Sequence, residues 1–236
     1  MTASLPQPRS PNLTPAARQL AAVFATIGPT SCPAHYNFHL HTRWSDGQMQ
    51  PLQLLDQAIE VGLMGLAITD HHTLEGYREA QDYHDNYRQA LPEPTDLPQL
   101  WSGIEITAEL LDTAVHILGY GFATDHPALA PYSSELEMHP SGQPFLAAEV
   151  IDVLHEAGGL AVLAHPVRYR KPPEALIPAA VDLGIDGVET FYAYDNPVPW
   201  RPSLEQTERV QHLSQLYGLL QTCGTDSHGS SLLQRL

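Results

Sequence analysis

Two histidines and an aspartate lie close together near the start of the chain: His39 and His41 are two residues apart, and Asp46 follows five residues later. In an extended backbone, residues i and i+2 point to the same face, so both imidazoles would reach one point at a strand end. A Ser-Asp-Gly turn can bring Asp46 back to that point. Imidazole and carboxylate groups bind divalent transition metals, although an isolated His-X-His pair is more often solvated or packed.

A second segment near the other end of the chain has the same spacing, with Asp226 and His228 two residues apart after an apolar run. Between the two segments, further metal-capable side chains lie at or beside short apolar runs that are typical of strands. They are Asp70, His71, His72, Glu105, His116 and His165. All but His116, which lies inside its predicted strand, are at or near a strand's carboxyl end, where the functional residues of α/β barrels gather.

Strands and helices alternate along the chain that carries these residues. Strands are predicted at 36–40, 65–69, 100–105, 114–119, 160–164, 187–189 and 219–223, and helices at 14–27, 49–61, 74–90, 146–156, 175–183 and 204–217. This alternation indicates an α/β fold with a mostly parallel sheet, closed or nearly closed. Residues 91–100 have the composition of a loop. Residues 123–144 are proline-rich and aperiodic, as lids and mobile loops often are.

Length and composition predict one main domain, because 236 residues that are 43% apolar can bury a core. We place an N-terminal extension with a short helix at 1–33 and the main domain at 34–236. Eleven Lys and Arg against 27 Asp and Glu give a net charge of -16, which argues against an extended nucleic-acid surface. Without a signal peptide or an apolar run near ~20 residues, we expect a cytoplasmic protein without membrane contact.

Two cysteines, Cys32 and Cys223, have no metal-binding or redox spacing. We therefore expect neither a disulfide nor a thiolate metal site, and we expect Cys223 to be a core residue.

Together and in this order, the motifs resemble the PHP family, the polymerase and histidinol phosphatase domain. The motifs are His39-X-His41, Ser45-Asp46-Gly47, Asp70-His71-His72, Gly103-Ile104-Glu105, His116, Ala164-His165-Pro166 and Gly224-Thr225-Asp226-Ser227-His228. The resemblance runs from about residue 36 to residue 229. It is strongest to stand-alone phosphoesterases related to AMP phosphatase, nucleoside 3',5'-bisphosphate phosphatase and a bacterial 5'-3' exoribonuclease. It implies a distorted (β/α)7 TIM-like barrel, the PHP fold, with three divalent metal ions.

The resemblance also implies nine metal ligands. The first ion would be held by His39, His41, Glu105 and Asp226. The second would be held by Glu105, His116 and His165, so that Glu105 bridges two ions. The third would be held by Asp46, His71 and His228. This mixture of imidazoles and carboxylates suits Zn, Mn or Fe, and the sequence does not choose among them.

Such a trinuclear site suits phosphoester hydrolysis, because metal ions neutralise phosphoryl charge and generate a hydroxide nucleophile at neutral pH. We expect a metal-dependent phosphoric monoester hydrolase that acts on a small phosphorylated metabolite, with a nucleotide as the leading candidate. The enzymatic alternatives are a 5'-3' exonuclease on short oligonucleotides and a histidinol-phosphate phosphatase. An inactive PHP module used for binding is a further alternative, which the complete ligand set disfavours.

Three residues are candidates for catalysis beside the metal ligands. Arg168 follows His165 in a short basic segment and would bind the substrate phosphate with its planar guanidinium, although charges of a solvated loop are the alternative. His72 stands where the family usually has Asp or Asn, and it would either protonate the leaving group or pack. Asp70 is expected to orient a ligand histidine.

Glu189, Tyr192 and Arg43 are further candidates for substrate binding. Glu189 and Tyr192 follow a strand and would line the substrate pocket, where a tyrosine ring can stack on a base. An ordinary half-buried aromatic loop is the alternative. The interval 122–145 is too short for a separate cap with its own core, so we expect an open site.

Overall fold

The computed structural model describes residues 7–90, 97–139 and 141–236 of the chain. The helices are α1 (Pro15–Phe24), α2 (Pro51–Val61), α3 (Glu75–Ala90), α4 (Ala147–Glu156), α5 (Pro173–Asp182) and α6 (Leu204–Tyr217). The strands are β1 (Tyr36–Asn37), β2 (Gly65–Ala67), β3 (Gln99–Trp101), β4 (Gly103–Glu109), β5 (Ala114–Tyr120), β6 (Leu160–Leu163), β7 (Gly187–Phe191) and β8 (Leu220–Cys223). Each of the six predicted helices is present, and the α/β class is confirmed.

The strands form two sheets. The first is parallel throughout, with the order β1-β2-β3. The second has the order β4-β5-β6-β7-β8, in which β5 is antiparallel to both β4 and β6 and the remaining pairs are parallel. Short parallel strands that alternate with helices bring their carboxyl ends to one side of the molecule.

Backbone hydrogen bonds join the two sheets at both of their meeting edges. On one side, Phe38 N donates to Cys223 O at 3.1 Å and His41 N donates to Ser227 O at 3.1 Å. On the other side, Glu105 N donates to Asp70 O at 3.1 Å. The segments that follow β1, β2 and β8 therefore lie against each other and against β4. A continuous seven-stranded barrel stays a prediction.

The predicted strand 100–105 is divided between the two sheets. Leu100 pairs with Leu66 in the first sheet, whereas Ile104 pairs with Gly119 in the second. The chain changes sheets at Ser102, whose hydroxyl donates to Phe122 O at 2.9 Å. The apolar pattern runs on through this change of direction, because residues on both sides of it are buried. The division of this strand between the two sheets could therefore not be predicted from the sequence.

The stretch 123–144 is more ordered than its composition indicated. It contains a 3-10 helix, Pro127–Tyr132, whose Leu129 and Tyr132 side chains are buried in the same core as Phe145 and Ile151. The two buried side chains are three residues apart, which is too few for an apolar period to show. Residues 91–96 and Pro140, which belong to the two predicted loops, lie outside the described residues.

Helix α1 begins at a Thr-Pro pair, where the Thr14 hydroxyl accepts a hydrogen bond from Ala17 N at 3.0 Å. Its Leu20 and Phe24 side chains are fully buried, and the Phe24 ring packs edge-on against Phe38 at 5.0 Å between centroids. The helix thus shares a core with the end of β1. The boundary between residues 33 and 34 stays a prediction.

Both cysteines are free and buried, as expected for core residues. None of the helices in the described ranges combines the length and the apolarity that a bilayer span requires.

Candidate metal centre

The nine predicted metal ligands converge on one region, although they come from six different strands or strand ends. His39 and His41 follow β1, His71 follows β2 and His165 follows β6. Asp226 and His228 follow β8, and Asp46 lies in the turn after His41. Glu105 and His116 lie inside the antiparallel pair β4 and β5.

These side chains form three groups. Within each group, the potential ligand atoms all lie within 4.8 Å of one another. The first group is His39, His41, Glu105 and Asp226, the same four residues that were predicted for the first ion. The second is His41, Asp46, His71 and His228, which adds His41 to the three predicted for the third ion. The third group is His71, Glu105 and His116. It contains His71 in place of His165, which was predicted for the second ion.

Glu105 lies at the centre of the cluster, and its two carboxylate oxygens face different imidazoles. Oε2 is 3.0 Å from His39 Nε2 and 3.1 Å from His41 Nε2. Oε1 is 2.7 Å from His116 Nδ1 and 3.3 Å from His165 Nε2. A third imidazole, His71, lies further from Oε2, with its Nε2 at 3.6 Å. The two oxygens thus face different sets of imidazole nitrogens, as would suit a carboxylate that bridges two ions.

The arrangement of His41 fits a bound cation. Its Nε2 atom is buried and has no aligned hydrogen bond to any residue that the structure describes, although Glu105 Oε2 lies at 3.1 Å and Asp226 Oδ1 at 3.2 Å. Buried polar atoms are rarely left unpaired, and each exception calls for an explanation. A divalent ion between this nitrogen and the two carboxylates would satisfy all three groups.

Charge interactions within the cluster shift its pKa values. Burial alone would raise the pKa of Glu105 and of Asp226, but the neighbouring His39 imidazole helps to lower both well below their usual range. Burial disfavours the charged form of His41, yet the Asp226 and Glu105 carboxylates outweigh it and raise its pKa to about 9. Burial lowers the pKa of His71 to about 4. The lowered pKa values keep the Glu105 and Asp226 carboxylates ionised at neutral pH.

The Glu189 carboxylate contacts two of the histidines, on the side of them that faces away from the cluster. Its Oε1 is 3.0 Å from His39 Nδ1, and its Oε2 accepts a hydrogen bond from His165 N at 2.9 Å. The carboxylate is fully buried, so the structure places it behind His39 and away from the substrate pocket that we predicted for it. A carboxylate on Nδ1 directs the Nε2 lone pair of His39 toward the cluster.

Asp70 organises the turn that carries Asp46. Its Oδ1 accepts hydrogen bonds from Thr42 N at 2.6 Å and from Ser45 Oγ at 2.7 Å, and its Oδ2 accepts from Thr42 Oγ1 at 2.6 Å. The Ser45 hydroxyl is in turn 3.5 Å from His41 Nδ1. Asp70 therefore reaches a ligand histidine through a serine rather than directly.

His72 is buried, and its Nε2 accepts a hydrogen bond from Thr107 N at 3.0 Å. Its ring stacks on Phe145 with 5.8 Å between centroids. These contacts correspond to packing, which is one of the two roles that the sequence left open for His72. Protonation of the leaving group by His72 stays a prediction.

Asp226 divides its two oxygens between the metal ligands and a set of hydrogen-bond donors. Oδ1 faces His41, whereas Oδ2 accepts from Tyr192 OH at 2.6 Å, from Arg168 Nη1 at 2.9 Å and from Arg235 Nε at 2.9 Å. Burial and the Asp226 charge raise the pKa of Tyr192, so its hydroxyl stays protonated and donates. The Tyr192 ring is itself buried, which leaves no free face for stacking on a base.

Arg235 was not predicted from the sequence. It lies seven residues after His228 in a segment with no motif and no periodic pattern, so no local signal marked it.

A cavity of about 280 Å³ opens beside the cluster. Its walls include Asp46, His71 and Trp44, together with Glu135 and Glu137 from the stretch 123–144. Arg43 does not line this cavity, because its exposed guanidinium points to Glu79 on α3, with 3.6 Å between Nη2 and Oε2.

Comparison with known proteins agrees with this geometry. The PHP domain family matches residues 37–154, which is half of the chain. The chain therefore belongs to the PHP domain family.

Three similar proteins illustrate the relationship. The 5'-3' exoribonuclease Rnm of Salmonella typhimurium is 28% identical over 57% of this chain and 43% of its own length, so the match spans less than half of that protein. The phosphoribosyl 1,2-cyclic phosphate 1,2-diphosphodiesterase of Eggerthella lenta is 25% identical over 82% of this chain and 94% of its own length. The solved structure of a candidate metal-dependent phosphoesterase from Bifidobacterium adolescentis shares the fold, with a TM-score of 0.66 at 24% identity over 84% of this chain and 89% of that one.

Proposed function

We propose that this protein hydrolyses a phosphoester in a small phosphorylated metabolite, with a nucleotide monophosphate or bisphosphate as the leading substrate. The observation that carries the proposal is the Glu105 carboxylate at the centre of a cluster of six imidazoles, with different imidazole nitrogens facing its two oxygens. Such a donor set, without a thiolate, suits catalytic rather than purely structural metal ions.

The proposal includes three divalent ions, Zn, Mn or Fe, held by the nine residues named above. When bound, such ions neutralise phosphoryl charge and lower the pKa of a coordinated water, as phosphoester hydrolysis requires. The part of the protein in this scheme is to hold imidazole nitrogens and ionised carboxylates in place. Glu189 does this for His39, and Asp70 does it for the turn before Asp46.

Arg168 is the proposed contact for the phosphoryl oxygens. Its Nη1 is occupied by Tyr192 and Asp226, and no hydrogen bond to Nε or Nη2 occurs within the part of the chain that the structure describes. The side chain is 38% exposed beside the cluster. A guanidinium that is fixed at one nitrogen and free at the others can bind a phosphoryl group with good geometry.

The surroundings of the site favour a small substrate over a long one. Glu135 and Glu137 line the cavity, and two carboxylates there would repel the further phosphates of an oligonucleotide. The chain as a whole carries a net charge of -16. The Eggerthella lenta relative, which is named for a phosphoribosyl cyclic phosphate, aligns along nearly all of its length, and this supports a small substrate here.

A continuous distorted barrel and a cytoplasmic location belong to the proposal as well.

The similarity to the exoribonuclease favours a second candidate, a 5'-3' exonuclease on short oligonucleotides. The experiment that separates the two measures kcat/KM for a mononucleotide, a 3',5'-bisphosphate and a short RNA on the Mn- or Zn-loaded protein. The His39→Ala variant is the control for a contaminating phosphatase, and it should be inactive on all three. We expect the small substrates to be hydrolysed at least as well as the RNA. A rise of more than about tenfold with oligonucleotide length would favour the exonuclease.

A further inference from the structure

The segment that follows His228 folds back against the strand ends that carry the cluster, and hydrogen bonds hold it there. Leu232 is fully buried, and its carbonyl accepts hydrogen bonds from Asn37 Nδ2 at 2.9 Å and from Thr225 Oγ1 at 3.0 Å. The carbonyl of Arg235 accepts from His228 N at 2.7 Å. The backbone of Arg235 is thus held against the strand end that carries the metal ligands.

The side chain of Arg235 is held by the Asp226 carboxylate and by the Tyr192 hydroxyl. Its Nε donates to Asp226 Oδ2 at 2.9 Å, and its side chain is 21% exposed. The terminal nitrogens, Nη1 and Nη2, are paired with no carboxylate in the described ranges. Arg168 reaches the same oxygen from the other side, again through a single nitrogen. Both guanidinium groups therefore keep donors available beside the cluster.

The positive charges of Arg168 and Arg235 exceed the negative charge of the carboxylate that they share. Asp226 is the one carboxylate within 4.0 Å of Arg168 or of Arg235 among the residues the structure describes. Its other oxygen faces His39 and His41, so it also serves the metal side. One carboxylate cannot neutralise two guanidinium cations, and partly buried charges without a partner are unfavourable. An anion with several acceptor oxygens would complete the arrangement.

We propose that Arg235 is a second substrate-binding residue and that Arg235 and Arg168 form a two-arginine clamp for a phosphoryl group. The inference rests on the proposed function and names the group that the clamp binds, a dianionic phosphate. Planar guanidinium groups match phosphoryl oxygens in a way that a lysine does not. The buried Tyr192 hydroxyl and Asp226 Oδ2 form the rigid base on which both arginines rest.

The test uses Arg235→Gln and Arg235→Lys in the metal-loaded protein, with Arg209→Gln as the matched control. Arg209 is an exposed arginine on α6 that pairs with Glu174 and makes no hydrogen bond or ion pair with the cluster among the described residues. Three quantities are measured: the binding of orthophosphate by calorimetry, KM and kcat for a small phosphomonoester, and the metal content. Thermal unfolding shows which variants are folded.

We expect Arg235→Gln to weaken orthophosphate binding and to raise KM by about 10- to 100-fold, because a charge-assisted contact is lost, with the metal content unchanged. Arg235→Lys should recover part of the loss, and it carries the test if the glutamine variant does not fold. Arg209→Gln should match the wild type.

Orthophosphate binding that stays within threefold of the wild type in a folded Arg235 variant would overturn the proposal. Loss of metal together with phosphate binding would also overturn it, since Arg235 would then serve to position Asp226. If the wild type binds orthophosphate through Arg235 but hydrolyses no phosphoester, the proposed function fails while the clamp stands.

Discussion

The Glu189→Gln substitution tests the metal centre through a residue that is not expected to touch any ion. The carboxylate of Glu189 faces His39 Nδ1 with one oxygen and accepts from His165 N with the other. Glutamine has nearly the same shape but only one acceptor oxygen. Its amide group must therefore face either the imidazole or the backbone N–H with a donor, so one of the two contacts is lost.

The size of the effect follows from the burial of this pair. Both His39 and Glu189 are fully buried, so a donor left unpaired there costs about 1–3 kcal/mol. If the lost contact is the one to His39, the ring is no longer held with its Nε2 toward Glu105, 3.0 Å away. Changes of this kind behind a ligand lower metal affinity by about 10- to 100-fold, which corresponds to about 1.4–2.7 kcal/mol.

The assay is a titration of metal-free protein with Zn or Mn in a chelator-buffered solution, followed by measurement of the bound metal. Glu174→Gln is the matched control, because Glu174 is an exposed carboxylate that pairs with Arg209 and, within the described residues, makes no ion pair with the cluster. We expect Glu189→Gln to lose affinity by about 10- to 100-fold and to regain activity when metal is in excess. A folded variant whose affinity stays within threefold of the wild type would contradict the expectation that the Glu189 carboxylate is needed to hold His39 Nε2 toward the ions.

Three further outcomes are expected. Chelation should abolish the hydrolysis of a generic phosphomonoester, and adding back Zn or Mn should restore it; turnover that survives complete metal removal would contradict the proposed site. Arg168→Ala should lower kcat/KM by about 30-fold or more through loss of a charge-assisted contact, and a change below threefold would leave Arg168 as a residue of the solvated loop. Gly224→Ala should lower both thermal stability and metal affinity, because a Cβ there would lie 2.2 Å from the Cβ of His39; an unchanged melting temperature and metal content would show that the strand end can shift at no cost.

The convergence of the candidate ligands could be predicted in part from local patterns, whereas the assignment of nine metal ligands came from the resemblance to the PHP family. His39 and His41 share a face through their i, i+2 spacing, and the same spacing links Asp226 and His228. Short apolar runs before them indicated strand ends, and strand ends of this fold meet on one side. These local patterns predict which side chains meet at the strand ends, and the roles of these side chains as metal ligands stay a prediction.

The surroundings of the ligands could not be predicted in the same way. All residues of β7 are buried, so an alternating pattern that would show the direction of Glu189 is absent. The pairing of β7 with β8 is irregular between Glu189 and Phe191. This irregularity changes the direction in which the following side chains, including that of Tyr192, point. These two side chains consequently lie beneath the ligands, where the sequence indicated a pocket wall. The position of Arg235 depends on a turn of the chain that is fixed by Leu232, which carries no motif.

The two oxygens of Asp226 connect the metal side and the substrate side of the site, and this limits what a substitution of Asp226 can prove. Asp226→Ala would remove a predicted metal ligand and at the same time leave the guanidinium groups of Arg168 and Arg235 without their shared carboxylate. Inactivity of that variant would agree with either loss. Glu189 and Arg235 approach from different sides, the first through His39 and the second through the outer oxygen of Asp226. If the two sides are separable, Glu189→Gln should change metal affinity while phosphate binding in excess metal is preserved, and Arg235→Gln should do the reverse. If each variant changes both quantities equally, the cluster and the arginines form one cooperative unit, and their contributions cannot be assigned residue by residue.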